Sequence, residues 1–155
     1  DIIKVVFLDL IMNKVSNAGE KWGEFYKRKN IHWVNKQKKD SRYFEDLIKS
    51  DYAKILIHCI KFLDKNQQIK ILEAGCRVGE MAICKSIFYN VKAFDYNEEA
   101  LEICNKLNNV LDKKVDLYID ELLDLKVEKE KYNIIYNQAV LEYFNHQEKL
   151  LCIKF

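Results

Sequence analysis

From Ile69 onward the apolar residues stop repeating every three or four positions and come in strand-sized runs separated by helical ones. Ile69-Lys70-Ile71-Leu72-Glu73-Ala74 is a short run of β-forming residues stopped by Gly75. Glu80 to Phe88 has a helical period, and Val91 to Phe94, closed by Asp95, is a second strand. Glu98 to Asn109 is a helix, with Asn97 as its N-cap and two glutamates in its first turn. Val115, Leu117 and Ile119 alternate as a third strand, Tyr132 to Tyr136 is a fourth, and Ala139 to Phe144 begins a last helix. Strands alternating with helices at this spacing build βαβ units, so an α/β fold with a parallel sheet is expected.

The region ahead of Ile69 is different. Trp22, Phe25 and Tyr26 share one face of a short helix ending near Asn30. From Asp40 onward Tyr43, Phe44, Leu47 and Ile48, then Ile55, Leu56, Cys59, Phe62 and Leu63, keep a helical period with a break at Ser50-Asp51. The expected organisation is a helical cap or lid region over residues 1–66 and a sheet-bearing domain over 67–155. With 49% hydrophobic and 32% charged residues, the 155-residue chain is not a disordered one. Lys+Arg number 26 against 24 Asp+Glu, a net +2 that supplies no field for nucleic acid or an anionic membrane. No apolar stretch approaches about 18 residues, so no membrane span is expected. Residues 1–11 contain Lys4 and Asp9 and lack a small-residue cleavage site, which argues against a signal peptide. Residue 1 is Asp rather than Met, so a processed, trimmed or partial chain is expected. The five cysteines are odd in number and none has Cys-x-x-Cys spacing, which points to reduced thiols in a cytoplasmic protein.

In an open parallel sheet, ligands bind beyond the carboxyl ends of the strands, near the point where the strand order reverses. After the first of these strands comes Glu73-Ala74-Gly75-Cys76-Arg77-Val78-Gly79-Glu80, whose two glycines let backbone approach a ligand at the start of a helix. Asp95 ends the second strand 20 residues beyond Gly75, the spacing of an acid that accepts hydrogen bonds from ribose hydroxyls. Asp120 and Glu121 follow the third strand as an acidic pair, placed to meet an adenine edge or simply to face water in a loop.

Taken in order, IKILEAGCRVGE, VKAFDYNEEALEICNK, DLYIDELLDL and YNIIYNQAVLEYF resemble the motif set of class I S-adenosylmethionine-dependent methyltransferases, and WGEFYKRKNIHW resembles the capping segment of members that act on small molecules. The resemblance implies a Rossmann-like fold, S-adenosyl-L-methionine as cofactor and a small-molecule methyl acceptor. It places Glu73 near the methionine part of the cofactor, and Gly75, Cys76 and Gly79 in the loop against it. It puts Asp95 on the ribose hydroxyls, Tyr96 beside the adenine, and Asp120 or Glu121 on the adenine amino group. Gln138 and Ala139 fall near the sulfonium and the acceptor. Trp22, Tyr26, His32 and Trp33 are either a lid over the site or core packing. No catalytic residue is implied, because in-line methyl transfer needs positioning and desolvation more than a strong base.

The chain departs from the family pattern at three residues and in length. Arg77 stands at the middle glycine of the first motif, Asn133 where the fourth strand usually begins with Asp, and Tyr143 where some members carry His. A full domain has seven strands, whereas the motifs here end after four. The sheet is therefore expected to be incomplete, with the fourth strand an exposed edge unless a missing C-terminal portion or another subunit covers it. The alternative to an enzyme is a degenerate, non-catalytic nucleotide- or S-adenosylmethionine-binding module. A nicotinamide-dependent oxidoreductase fits less well, since G-x-G-x-x-G is not present. His32, His58 and His146 have no paired spacing, so no metal site is expected.

Overall fold

A computed structural model of the chain describes residues 4–8, 42–63, 69–111, 115–126, 132–138 and 140–148. Its strands are β1 (Lys4–Leu8), β2 (Lys70–Ala74), β3 (Asn90–Asp95), β4 (Asp116–Ile119) and β5 (Ile134–Gln138). Its helices are α1 (Arg42–Lys49), α2 (Asp51–Leu63), α3 (Glu80–Ser86) and α4 (Glu98–Val110). The five strands form one parallel sheet in the order β1-β5-β2-β3-β4. Proceeding from β2, the chain adds β3 and β4 on one side and then crosses back to place β5 on the other. That reversal, between β2 and β5, opens the crevice in which doubly wound sheets hold ligands.

Strands buried on both faces have to be apolar throughout, and the two faces divide cleanly. Ile71, Val91, Ala93, Ile134 and Tyr136 belong to the large core that also contains Leu56 and Ile60 of α2, Ala82 and Ile83 of α3, and Ile103 and Leu107 of α4. Leu72, Ala74, Phe94 and Ile135 face the opposite way, with Tyr132, Tyr118, Leu122 and Leu125 packed against them. Each large side chain buried this completely stabilises the fold by about 1.5–3 kcal/mol relative to exposure. Glu73 and Asp95 share the helix-covered face with Ile71 and Val91, because residues two apart on a strand point the same way.

The helix boundaries have local causes. At Ser50 the hydroxyl donates to the Leu47 carbonyl at 2.6 Å and accepts from the Ala53 N–H at 3.2 Å, closing α1 and opening α2. Asn97 caps α4, its side-chain oxygen accepting the Ala100 N–H at 2.9 Å. α3 stops at Ser86, two residues earlier than its apolar period suggests, and Phe88 and Tyr89 donate their N–H groups back to the Lys85 carbonyl.

Three expectations need correction. The fourth motif-bearing strand runs over 134–138 rather than 132–136. Asn133 exchanges bonds with Lys70, its N–H to the Lys70 carbonyl and its side-chain oxygen to the Lys70 N–H, both at 2.9 Å, while Tyr132 tucks into the smaller apolar cluster. The last helix does not run through from Ala139: a 3-10 turn, Leu141–Tyr143, is ended by Phe144 in an extended conformation (φ −94°, ψ 147°), and α-helix is found at residues 146–148. The fourth motif-bearing strand, β5, is not an edge. β1, from the N-terminal run expected to lie with the helical region, pairs with β5 in parallel, Lys4 opposite Ile134 through Leu8 opposite Gln138. The cover comes from this chain, not from a missing portion or a second subunit. The short amphipathic helix near Trp22 and Tyr26, together with His32 and Trp33, lies outside the described residues.

Candidate functional site

The carboxyl ends of β2, β3 and β5 converge through register: Glu73 lies opposite Ala93 and Tyr136, and Ala74 opposite Phe94 and Asn137. The loop leaving β2 turns sharply there. Gly75 has φ 69°, and a Cβ at that position would meet Val140 Cγ2 at 2.6 Å. Gly79 has φ 74° and precedes α3, and a Cβ there would overlap the Cys104 thiol of α4. Both positions require glycine for conformation and for space. Cys76 between them is buried and donates its N–H to the Phe94 carbonyl at 2.9 Å. Its thiol is pushed well above the ordinary range by hydrogen bonding to the Cys104 thiol and by burial. It is therefore a packed neutral thiol rather than a nucleophile.

Arg77, the residue in the place of the usual glycine, is in the left-handed region at φ 56° with its side chain exposed. Its N–H donates to Asp95 Oδ2 at 2.8 Å, and the Asn97 N–H donates to Asp95 Oδ1 at 2.9 Å. Asp95 thus ties together the loops that follow β2 and β3. Burial raises its pKa, opposed by these two backbone donors and by the charge of Arg77. The next residue, Tyr96, is 48% exposed at the carboxyl end of β3.

Beyond β4, the Asp120 N–H reaches the Asp95 carbonyl at 3.3 Å. Asp120 is buried, and its carboxylate accepts the N–H groups of Glu121 (2.9 Å) and Lys126 (3.1 Å), so it shapes its own loop. Glu121 is exposed. Gln138 ends β5 half-buried, its side-chain oxygen 3.4 Å from the Tyr136 hydroxyl, and Ala139 lies outside the described residues.

One charged residue in this region escapes a reading based on motifs. Lys85 of α3 is fully buried and forms an ion pair with Glu73 Oε2. Its ammonium also sits 3.7 Å from the centre of the Tyr136 ring. The Tyr136 hydroxyl in turn hydrogen-bonds to the hydroxyl of Tyr52, on α2. Burial pushes the Glu73 carboxyl up and the Lys85 ammonium down, while each one's charge pulls the other back toward the ionised form. The available signal is a lone lysine directly after the apolar run Met81-Ala82-Ile83-Cys84.

With a switch-point crevice, two obligatory glycines and a terminal acid in place, similarity to known proteins becomes informative. A family model described as a methyltransferase domain matches residues 43–152. The chain belongs to that methyltransferase family. No curated protein matches it. Among solved structures, it is similar to an S-adenosylmethionine-dependent methyltransferase from Clostridium acetobutylicum, with TM-score 0.61, 16% identity, and coverage of 76% of this chain and 50% of that one. A putative S-adenosyl-L-methionine-dependent methyltransferase from Methanococcus maripaludis gives TM-score 0.61 and 14% identity over 94% of this chain and 61% of that one. PKMT2 from Rickettsia typhi, solved with S-adenosylhomocysteine, gives TM-score 0.51 and 17% identity over 57% of this chain and 18% of that one. At these identities the likeness is one of fold, the Rossmann-like fold of class I methyltransferases. The chain spans about half the length, or less, of most of the structures it matches. Membership in the methyltransferase family implies S-adenosylmethionine as the methyl donor. Two features of the crevice suit such a group: the glycine-shaped loop that lets backbone come close, and the carboxylate of Asp95 beside the half-exposed Tyr96.

Proposed function

We propose that this chain is the S-adenosylmethionine-binding part of a methyltransferase that acts on a small-molecule acceptor. The observation that carries the reading is Asp95, a carboxylate at the end of β3 held by one N–H from the glycine-bounded loop and one from the next turn. A carboxylate oxygen has two acceptor positions, so each oxygen of Asp95 can accept a ribose hydroxyl in addition to its backbone partner. Gly75, Cys76 and Gly79 form the cradle, and Tyr96 offers a face to the adenine. Of the acidic pair, Asp120 keeps spare acceptor positions beside its two backbone donors and Glu121 is exposed, so either can take the adenine amino group. Gln138, at the end of β5, faces the acceptor side.

When bound, S-adenosylmethionine supplies a methyl group made electrophilic by its sulfonium. The protein's share of the work is to hold donor and acceptor in line and to keep water out. The described helices ahead of the β2 strand, α1 and α2, act as the cap, with the Tyr52 hydroxyl of α2 in contact with that of Tyr136. The near-neutral net charge of +2 favours a small acceptor over nucleic acid.

Calorimetric titration of the chain with S-adenosylhomocysteine, with NADH as control, tests this reading. We expect binding with a dissociation constant on the order of micromolar. Asp95→Asn keeps one acceptor for the loop while removing the charge, and it should weaken binding about tenfold or more without unfolding the chain. Absence of binding by the folded chain, or equal binding of NADH, would overturn the proposal.

A further inference from the structure

Glu73 and Lys85 form the one fully buried ion pair among the described residues, and it lies at the carboxyl end of the central strand rather than deep in the core. For stability alone such a pair is a poor choice, since apolar residues of similar volume do as well or better. Its geometry is nevertheless closely held. The Lys85 ammonium is fixed between Glu73 Oε2 and the face of the Tyr136 ring. That ring is pinned in turn by hydroxyl contacts to Tyr52 and Gln138. The bond from the Lys85 ammonium is made to Oε2 of Glu73 and not to Oε1.

We infer that Lys85 is a positioning residue: it keeps Glu73 ionised and turned so that its second oxygen meets a positively charged group of the bound donor. The inference rests on the function proposed above. The recognised chemistry is an ammonium group attached to the amino-acid end of the ligand, which a protonated Glu73 would attract far less. Without Lys85, Glu73 would be a lone buried carboxyl, and such groups take up a proton near neutral pH. The other titratable groups around the pair are Tyr136 of β5, Tyr52 of α2, Asp95 of β3, Cys76 of the loop, and Cys84 and Glu80 of α3. The phenols and thiols keep their protons at neutral pH, because burial and neighbouring acids raise them. Asp95 contributes only an acid-side loss common to every variant.

The test is titration of the full chain with S-adenosylhomocysteine from about pH 6 to about pH 8, for wild type, K85M, E73Q and the double variant E73Q/K85M. Wild-type affinity should stay nearly flat above the Asp95 transition. K85M should bind about tenfold more weakly at the acid end and recover as pH rises and Glu73 ionises. E73Q should bind weakly with a flat profile, and adding K85M to it should change nothing further. K85Q, which keeps a hydrogen-bond donor without the charge, should show the same slope as K85M. A K85M profile parallel to wild type, whether unchanged or uniformly weakened, overturns the inference and leaves the cofactor site standing. Failure of both Lys85 variants to fold also overturns it, because the pair is then a folding element. No binding by wild type removes the proposed function and this inference together.

Discussion

Arg77 occupies a backbone conformation that suits glycine, at φ 56°. For an L-residue the left-handed region costs roughly 1–2 kcal/mol, and here that cost is tolerated because the Arg77 N–H is locked onto Asp95 at 2.8 Å. Arg77→Gly keeps the same N–H and removes the strain, so the variant should be more stable by about 1 kcal/mol despite the greater freedom of its unfolded chain. The midpoint of urea unfolding reads this directly. An unchanged or lower midpoint would mean that contacts of the guanidinium outweigh the strain. Asp95 also loses the nearby positive charge in this variant, so its carboxyl should move further upward.

At the scale of elements, the informative strand is β1. It gives β5 a parallel neighbour over five residues and so removes the unpaired row of backbone groups that an edge at β5 would present. Deleting residues 1–8 should lower the urea midpoint and cause association at micromolar concentration, visible by sedimentation velocity. A monomeric deletion variant of unchanged midpoint would show β1 to be dispensable. The contrast between β1 and the other strands explains what could be seen in the sequence. β2 to β4 were legible because each is an apolar run ended by a residue with a strong local preference, such as Gly75 or the Asp95–Asn97 turn. β1 has an apolar run too, but nothing local distinguishes it, and its partner lies 130 positions away (Lys4 to Ile134). The start of β5 is not legible because Tyr132 and Asn133 suit a strand by type, and only the bonds between Asn133 and Lys70 reveal that the regular pairing begins afterwards. The site shows the same division. Glu73, Gly75, Gly79 and Asp95 carry their meaning in their spacing, whereas Lys85 acquires one only when α3 is laid over β2.

For the molecule as a whole, burial of ionisable groups sets the pH range over which the fold is secure. The Cys84 thiol is pushed up to about 12, mainly by burial and then by Glu80 and Glu73, and burial also raises the phenols of Tyr118 and Tyr136. A pKa raised in the folded state means that the unfolded chain releases its proton first. For Cys84 stability is therefore intact below the ordinary thiol range and is lost as pH climbs from about 9 toward about 12, by up to about 1.4 kcal/mol per pH unit, and the phenols add to the loss only above about pH 10. Urea midpoints should be level near about pH 8 and fall steeply above about pH 9.5, with Cys84→Ala showing a shallower decline from a lower starting value. A flat alkaline limb would show that these groups are hydrated in the folded state.

The pairing of β1 with β5 also bears on how the protein is made. Chain elongation runs at about 5–20 residues per second, so the 130 positions separating Lys4 from Ile134 take on the order of ten seconds to synthesise. During that interval Lys-Val-Val-Phe-Leu has been translated and its neighbour in the sheet has not. The first strand of the described fold is thus the last to find its place, and the nascent chain passes through a stage in which any other strand edge can claim it.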